Sequence, residues 1–442
     1  MNYTRPSIGM RFVCVLMAAL LALPLLSGCW DRHEVDEIGI VGAMGIDPGT
    51  KSRVLISLEM LNPGALTGGT GAIGAGSKVA AWVFHEEAST IANAMSNIQR
   101  RSPRSLSLGQ VNSVIFGQAL AKQGIGDYID YLLRQGRVRR SVFISTCDTG
   151  SGLLQRPFIE PLPSRALEGL AQRAMKSGKT TRVTLNEIVF ALEEPGIEPI
   201  TMHTAGRRTD DVVIKKQGED VKQTEPAVVL DEPITAEDEA PGEVPVDSPV
   251  LDPLKQAGTA EPLFPLTIHL GIGAFKGDRL VGFLDGIDAR GYLWAVGKVK
   301  QADMEVPDPT DPSRTIGITV VRSSASTKPF LDESLPRMRL EVRVDCSVTQ
   351  ASMDFKTGGG KVVDRLESEV SDLIQEEIRE SLRIVQQEFK SDIYGFGRRV
   401  WQARPKLWRQ LEPTWNDEVF PKVPVEITVK TRIRGSGALL KQ

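Results

Sequence analysis

Lys361 to Phe389, KVVDRLESEVSDLIQEEIRESLRIVQQEF, is the stretch whose reading decides the architecture of the C-terminal half. Its apolar residues, Val363, Leu366, Val370, Leu373, Ile374, Ile378, Leu382, Val385 and Phe389, recur every three or four positions, while Glu367, Glu369, Glu376, Glu377, Glu380 and Arg383 face away. A helical period gathers the first set into one stripe. Such a stripe fits a helix lying on a sheet. A partner-binding heptad is the alternative, and core packing explains the stripe more simply. Gly358-Gly-Gly360 breaks the chain before this helix, and Ser391-Asp-Ile-Tyr-Gly-Phe-Gly397 closes it.

The flanking sequence supplies the sheet. Leu266 to Phe275 reads as a strand, with Gly277-Asp278 as a hairpin turn into Leu280–Leu284. Asp285 then caps a short helix running through Gly286, Asp288, Gly291 and Trp294. Further strands are expected from Gly317 to Arg322, from Arg337 to Val348 and from Val423 to Ile433, with a tryptophan-bearing helix over Arg398 to Gln410.

Toward the N-terminus, Ile38 to Ile46 and Lys51 to Leu61 form two strands joined by a turn at Asp47-Pro48-Gly49, and Lys78 to Phe84 a third. Helices are expected over Glu86–Gln99, near Gly126–Arg134, from Pro163 to about Met175, and after the capping box Thr184-Leu-Asn-Glu187. Strands at Gln110–Phe116 and Ser141–Cys147 intermix with them. Gly69-Thr-Gly71-Ala-Ile-Gly74 matches G-x-G-x-x-G, but Asn62-Pro63 separates it from the preceding strand and another strand follows. No helix N-terminus would therefore face a pyrophosphate.

Residues 206–262 differ in kind. From Glu219 onward about a dozen acids stand against two lysines, with seven prolines. Too little apolar surface is present to offset chain entropy, so an acidic, Pro-rich disordered linker is expected.

At the front, Arg5 and Arg11 introduce an apolar run from Phe12 to Leu26 that ends in Leu26-Ser-Gly-Cys29. The run is shorter than the ~20 residues that a spanning helix needs, and small residues precede the cysteine: a secretory signal peptide. Cleavage after Gly28, with Cys29 taking a diacylglyceryl or fatty acyl group such as palmitate, makes a lipoprotein tethered by its first residue. Removing residues 1–28 removes Arg5 and Arg11 and no acid, taking the net charge from −3 to −5. That balance gives no argument for nucleic acid or for a polybasic membrane patch. Cys147 and Cys346 remain, far apart in sequence, and read as buried free thiols. His33, His85, His203 and His269 have no metal-ligand spacing, and no metal is expected. Arg134, Arg137, Arg139 and Arg140 fit a solvated rim better than an anion site. No G-x-S-x-G, H-E-x-x-H or convergent Ser/His/Asp set appears, and Asp285 with Asp288 is explained by capping, so no enzyme is expected.

The expected fold is α+β: mixed α/β modules with largely antiparallel sheets, and the long amphipathic helix packed on the C-terminal sheet. The expected division is signal peptide 1–28, an N-terminal region 29–205 of one or two modules, linker 206–262 and a C-terminal domain 263–437.

Three blocks, in order, carry a resemblance. The first is Cys29-Trp30-Asp31-Arg32 with Glu37-Ile-Gly-Ile-Val41 and Gly45-Ile-Asp47. The second is Gly273 to Gly286 with Arg290-Gly291-Tyr-Leu-Trp294. The third is Lys390 to Gly397, including Gly395, Phe396 and Gly397, with Trp415 and Pro421. Together they resemble the Ger(x)C family, lipoprotein C subunits of the nutrient germinant receptors of spore-forming bacteria. The resemblance implies a mixed α/β protein of three modules on the outer face of the spore inner membrane. It implies as partners a polytopic A subunit and a transporter-like B subunit, and it names no catalytic residue. The alternative is a solute-binding lipoprotein that delivers a small ligand to a membrane transporter.

Overall fold

Strand β1 (Ile38–Pro48) holds the N-terminal half together, because small residues along it let neighbours approach on both edges and both faces. It pairs antiparallel with β2 (Val54–Leu61), which pairs antiparallel with β3 (Ala81–Ala88). Helix α1 (Ile91–Arg101) follows, with Thr90 Oγ1 accepting the Asn93 N–H as its N-cap. The computed structural model describes residues 37–62, 80–155, 162–207, 267–309, 311–331, 335–350 and 359–435, with Gly9, Leu16 and Met17. Gly28, Cys29, Trp30, Asp31, the glycine-rich loop and nearly all of the expected linker lie outside the described residues.

The other edge of β1 pairs in parallel with β4 (Ser105–Ser107) and β5 (Ser113–Gly117). Helices α2 (Gln118–Gln123) and α3 (Gly126–Gln135) return the chain to β6 (Phe143–Cys147), parallel to β5. Then α4 (Gly150–Gln155), α5 (Pro163–Lys176) and α6 (Leu185–Glu193) lead to β7 (Ile200–Arg207), parallel to β6. The α6 capping box is complete: Thr184 Oγ1 accepts the Glu187 N–H at 3.3 Å, and Glu187 Oε2 accepts the Thr184 N–H at 2.8 Å. A hairpin, β8 (Thr267–Lys276) and β9 (Arg279–Leu284), completes the sheet in the order β3-β2-β1-β5-β6-β7-β8-β9, with β4 beside β1. Antiparallel pairs flank a parallel run that the sequence reading did not anticipate. Contacts divide the chain into one unit, 1–204 with 270–442, and a second, 205–269, of which only residues 205–207 and 267–269 are described.

Helix α7 (Gly286–Ala295) leads to the smaller sheet, β10 (Ala302–Pro307), β11 (Thr315–Leu331), β12 (Pro336–Gln350) and β13 (Val425–Gly435). The first three strands pair antiparallel. β13 lies parallel to β12, which requires a crossover. That crossover is the long helix α8 (Gly359–Arg383), ending in a π-helical turn, Ile384–Phe389. Its expected stripe is the buried face: Leu366, Val370, Ile374, Ile378, Leu382 and Val385 are all at most 4% exposed. At about 2 kcal/mol per buried aliphatic side chain, this stripe contributes of order 10 kcal/mol gross. The α+β expectation, with the long helix on the C-terminal sheet, is what the structure shows.

Side chains of α8 also reach the outer edge of β13. Gln375 Nε2 donates to the Ile427 carbonyl at 2.6 Å, Ser371 Oγ to Thr431 Oγ1 at 2.8 Å, and Glu367 Oε1 accepts the Ile433 N–H at 2.8 Å. After Lys390, which adopts φ +47°, come α9 (Phe396–Ala403) and α10 (Pro405–Leu411). One helix over Arg398–Gln410 was expected. Pro405 opens a new helix instead, since it disfavours helical backbone at Arg404, which sits at φ −143°. The helix expected from Glu86 starts at Ile91, because β3 stays paired with β2 through Ala88.

Candidate functional site

The third motif block folds into a joint around one buried carboxylate. Gly395 takes φ +66° as the cap of α9, a left-handed turn that suits glycine. It brings the Phe396 and Gly397 N–H groups onto Asp392 Oδ1 and Oδ2 at 3.0 and 2.7 Å, and Trp415 Nε1 adds a third donor at 2.9 Å. Gly397 sits under the indoles: a Cβ there would stand 2.7 Å from Trp408 and 2.8 Å from Trp415. Phe396 is buried between Tyr394 and Phe420.

The same joint holds the end of the N-terminal half. The Glu198 N–H donates to the Asp392 carbonyl at 3.0 Å, and the Arg398 N–H to the Gly196 carbonyl at 2.7 Å. Asn416 accepts the Asp392 N–H at 3.1 Å and donates to Glu198 Oε1 at 2.5 Å, while the Gly277 N–H donates to Glu198 Oε2. Ser391 Oγ donates to the Phe275 carbonyl. Burial pushes the Asp392 carboxyl up to about 6 against the pull of its three N–H donors, and the neighbouring Glu198 charge adds to the rise. Burial raises the Glu198 carboxyl as well.

The second motif block builds a buried ion pair. Arg290 grips Glu377 of α8 with Nε and a terminal nitrogen, and Trp294 Nε1 donates to Glu377 Oε2 at 2.9 Å. Trp294 is fully buried, and Gly291 lets α7 lie against the α8 backbone. Capping does not account for Asp285. It occupies the N-cap position, but its side chain makes no cap hydrogen bond and lies over Gly271 instead, near His203. Gly286 adopts φ +53°. Asp288 is half-buried, its carboxyl raised first by burial and then by Glu380.

Two of the four histidines, His85 and His203, serve the larger sheet, and His33 lies outside the described residues. His203 stacks on Phe283 at 3.7 Å, and burial lowers its imidazole below the ordinary value. His85 Nδ1 lies 2.8 Å from Ser57 Oγ, but Ser57 is directly opposite it in the β2–β3 pairing and fully buried, so the contact ties two strands. Cys147 and Cys346 are buried and in no disulfide, and burial pushes the Cys346 thiol up to about 12. Arg134 pairs with Asp130 on an exposed helix face, and Arg137, Arg139 and Arg140 are exposed. Among the described residues, no group of three or more His, Cys, Asp and Glu side chains is placed to hold a metal. No described helix is long and apolar enough to cross a membrane. Three open clefts among the described residues measure about 400 Å³ beside Phe330 and Arg337, 610 Å³ along α10, and 500 Å³ between α8 and β13.

Glu198 and Asn416 are not marked by the sequence, and Glu377, expected to face away from the stripe with Glu376 and Glu380, is instead buried against α7, where Arg290 and Trp294 hold it. Their partners lie 24 to 218 residues away, and no local pattern marks such pairs.

The joined halves correspond to two matched regions. Residues 31–203 match the family described as spore germination protein N-terminal domain, and residues 270–437 that described as spore germination B3/GerAC like, C-terminal. The chain belongs to the GerAC family of spore germination proteins. Two relatives from Bacillus subtilis (strain 168) are similar over nearly their whole length. Spore germination protein KC is 22% identical, covering 96% of this chain and 95% of that protein. The putative spore germination protein YfkR is 23% identical, covering 97% and 98%. The crystal structure of the GerBC protein resembles this fold with a TM-score of 0.50 at 13% identity, over 88% of this chain and 96% of that one. Asp392 and Glu198 therefore join the two GerAC regions, one from each.

Proposed function

We propose that this protein is the lipid-anchored C subunit of a germinant receptor on the outer face of the spore inner membrane. It acts as a non-catalytic interaction subunit required for nutrient-triggered germination. The observation that carries this reading is the match of both GerAC regions, in order, to proteins named for spore germination. The places taken by the motif residues support it. Trp294, Phe396, Gly397 and Asp392 build joints between elements, as a scaffold requires, and none lines the three clefts described above. Cys29 carries the acyl group and no other cofactor is needed. The partners are the integral A and B subunits.

Deleting the chain should abolish germination in response to the cognate nutrient, and Cys29→Ala should leave a folded protein that no longer fractionates with membranes. Co-purification of polytopic subunits from spore membranes would support the assignment. Unimpaired nutrient germination in the deletion strain, with its paralogues also removed, would overturn it. Micromolar binding of an amino acid or sugar by the purified chain would replace it with the solute-binding reading.

A further inference from the structure

The smaller sheet buries one side, where Met338, Leu340, Val342 and Val344 meet the core, and exposes the other. On the exposed side of β11–β13 the three carboxylates are all engaged. Glu426 pairs with Arg339 at 3.0 Å, Glu341 with Arg343 at 3.5 Å and Asp345 with Arg434 at 2.9 Å. Five more cations stand on that side: Arg322, Lys328, Arg337, Lys430 and Arg432, all exposed and none in an ion pair among the described residues. Asp345 lies in register between Arg322 and Arg432, but its carboxylate pairs with Arg434. Arg343 lies directly opposite Lys430, and Lys328 directly opposite Arg339. Like charges across a strand pair destabilise a sheet, and among the described residues of these three strands no unpaired acid relieves them; the exposed Asp303 and Glu305 of β10 lie at the far edge of the face. The whole chain carries a net charge of −3, so this face runs against the protein's own balance.

We propose that this sheet face docks electrostatically on an anionic lipid bilayer. A specific protein interface needs a buried aromatic or apolar anchor near its centre. Here the centre is Ser324, Ser326 and Thr428, and the exposed Phe330 lies at one end, beneath the Arg339 guanidinium. Spread, unanchored positive charge suits a diffuse negative plane. The inference rests on the reading that the protein works at a membrane surface, and supplies a second, electrostatic contact beside the lipid anchor at Cys29.

The test uses the full chain carrying Cys29→Ala, so that no acyl group contributes, on phosphatidylcholine vesicles with and without phosphatidylglycerol. Each cation near an anionic surface is worth about fivefold in partitioning. Lys328→Gln, Lys430→Gln and Arg432→Gln together should therefore weaken binding to phosphatidylglycerol vesicles about a hundredfold. High salt should do the same to the parent, and pure phosphatidylcholine should not distinguish parent from variant. Glu341→Gln, which frees Arg343, should strengthen binding, a direction that misfolding does not produce. Equal partitioning of parent and triple variant onto phosphatidylglycerol vesicles would overturn the proposal. So would unchanged vesicle binding with loss of a co-purifying protein, which would assign the face to an acidic protein surface. An unmodified Cys29 in the native protein, with vesicle binding as expected, would remove the lipid anchor and leave this inference standing.

Discussion

Gly291 lies flat against the main chain of Glu377: a methyl group at residue 291 would be driven into the Glu377 carbonyl, with Ser381 Cβ close behind. Backbone cannot swing aside as a side-chain tip does, so α7 would have to lift from α8. Gly291→Ala should destabilise the protein by about 2–3 kcal/mol, the upper range for overpacking. The urea midpoint, followed by far-UV circular dichroism, measures it. A midpoint within error of the parent would show that the two helices are not held this close.

The Glu377 carboxylate serves Arg290 and the buried Trp294 together. Glu377→Ala strands both donors and should cost about 3 kcal/mol, the lower end for breaking a buried pair, because Arg290 is 23% exposed. Glu377→Gln keeps an acceptor for the indole and should cost less. A double-mutant cycle with Arg290→Met separates the pair from the burial of its members.

The Asp392 carboxyl sits at about 6 in the folded chain, above the ~3.9 of an exposed aspartate. A raised carboxyl stabilises the fold fully below its unfolded value, and that contribution is lost as pH rises through about 6. Glu198, also raised, acts in the same sense. Unfolding free energy should therefore carry a component that grows by up to ~3 kcal/mol as pH is lowered from 8 toward 4. Asp392→Asn should flatten that component. Asn presents an N–H group toward one of the donors at residues 396, 397 and 415, so its absolute stability should not exceed the parent's at neutral pH. Parallel slopes for parent and variant would mean that Asp392 stays ionised across this window.

Thr184 and Glu187 close the capping box of α6 on an exposed helix start. Thr184→Ala should cost about 1 kcal/mol. Differential scanning calorimetry of the two proteins at equal concentration tests this.

Legibility from sequence followed the range of the interactions. The α8 stripe, the β8–β9 hairpin and the Thr184 box depend on residues within a few turns or strand positions of one another, and each was readable. Helices α2 and α4 are six residues long, too short for a periodic signal. Strand β10 alternates cleanly in burial but is also only six residues long, and it was not anticipated. The Asp392 joint could not be read. Serine, aspartate and two glycines announce a turn, but which carboxylate the turn encloses depends on Trp415, Asn416 and Glu198 arriving from elsewhere. Asp285 shows the converse: its local pattern reads as a cap, and the available room over Gly271 draws the side chain away.

The reach of Gln375, Ser371 and Glu367 onto the rim of β13 has a consequence for crowding. A bare strand margin is a template on which another copy can register, and lateral confinement in two dimensions would multiply such encounters. Here the crossover helix occupies hydrogen-bonding groups at both ends of that margin, so this edge of the smaller sheet offers another copy no continuous ladder to extend.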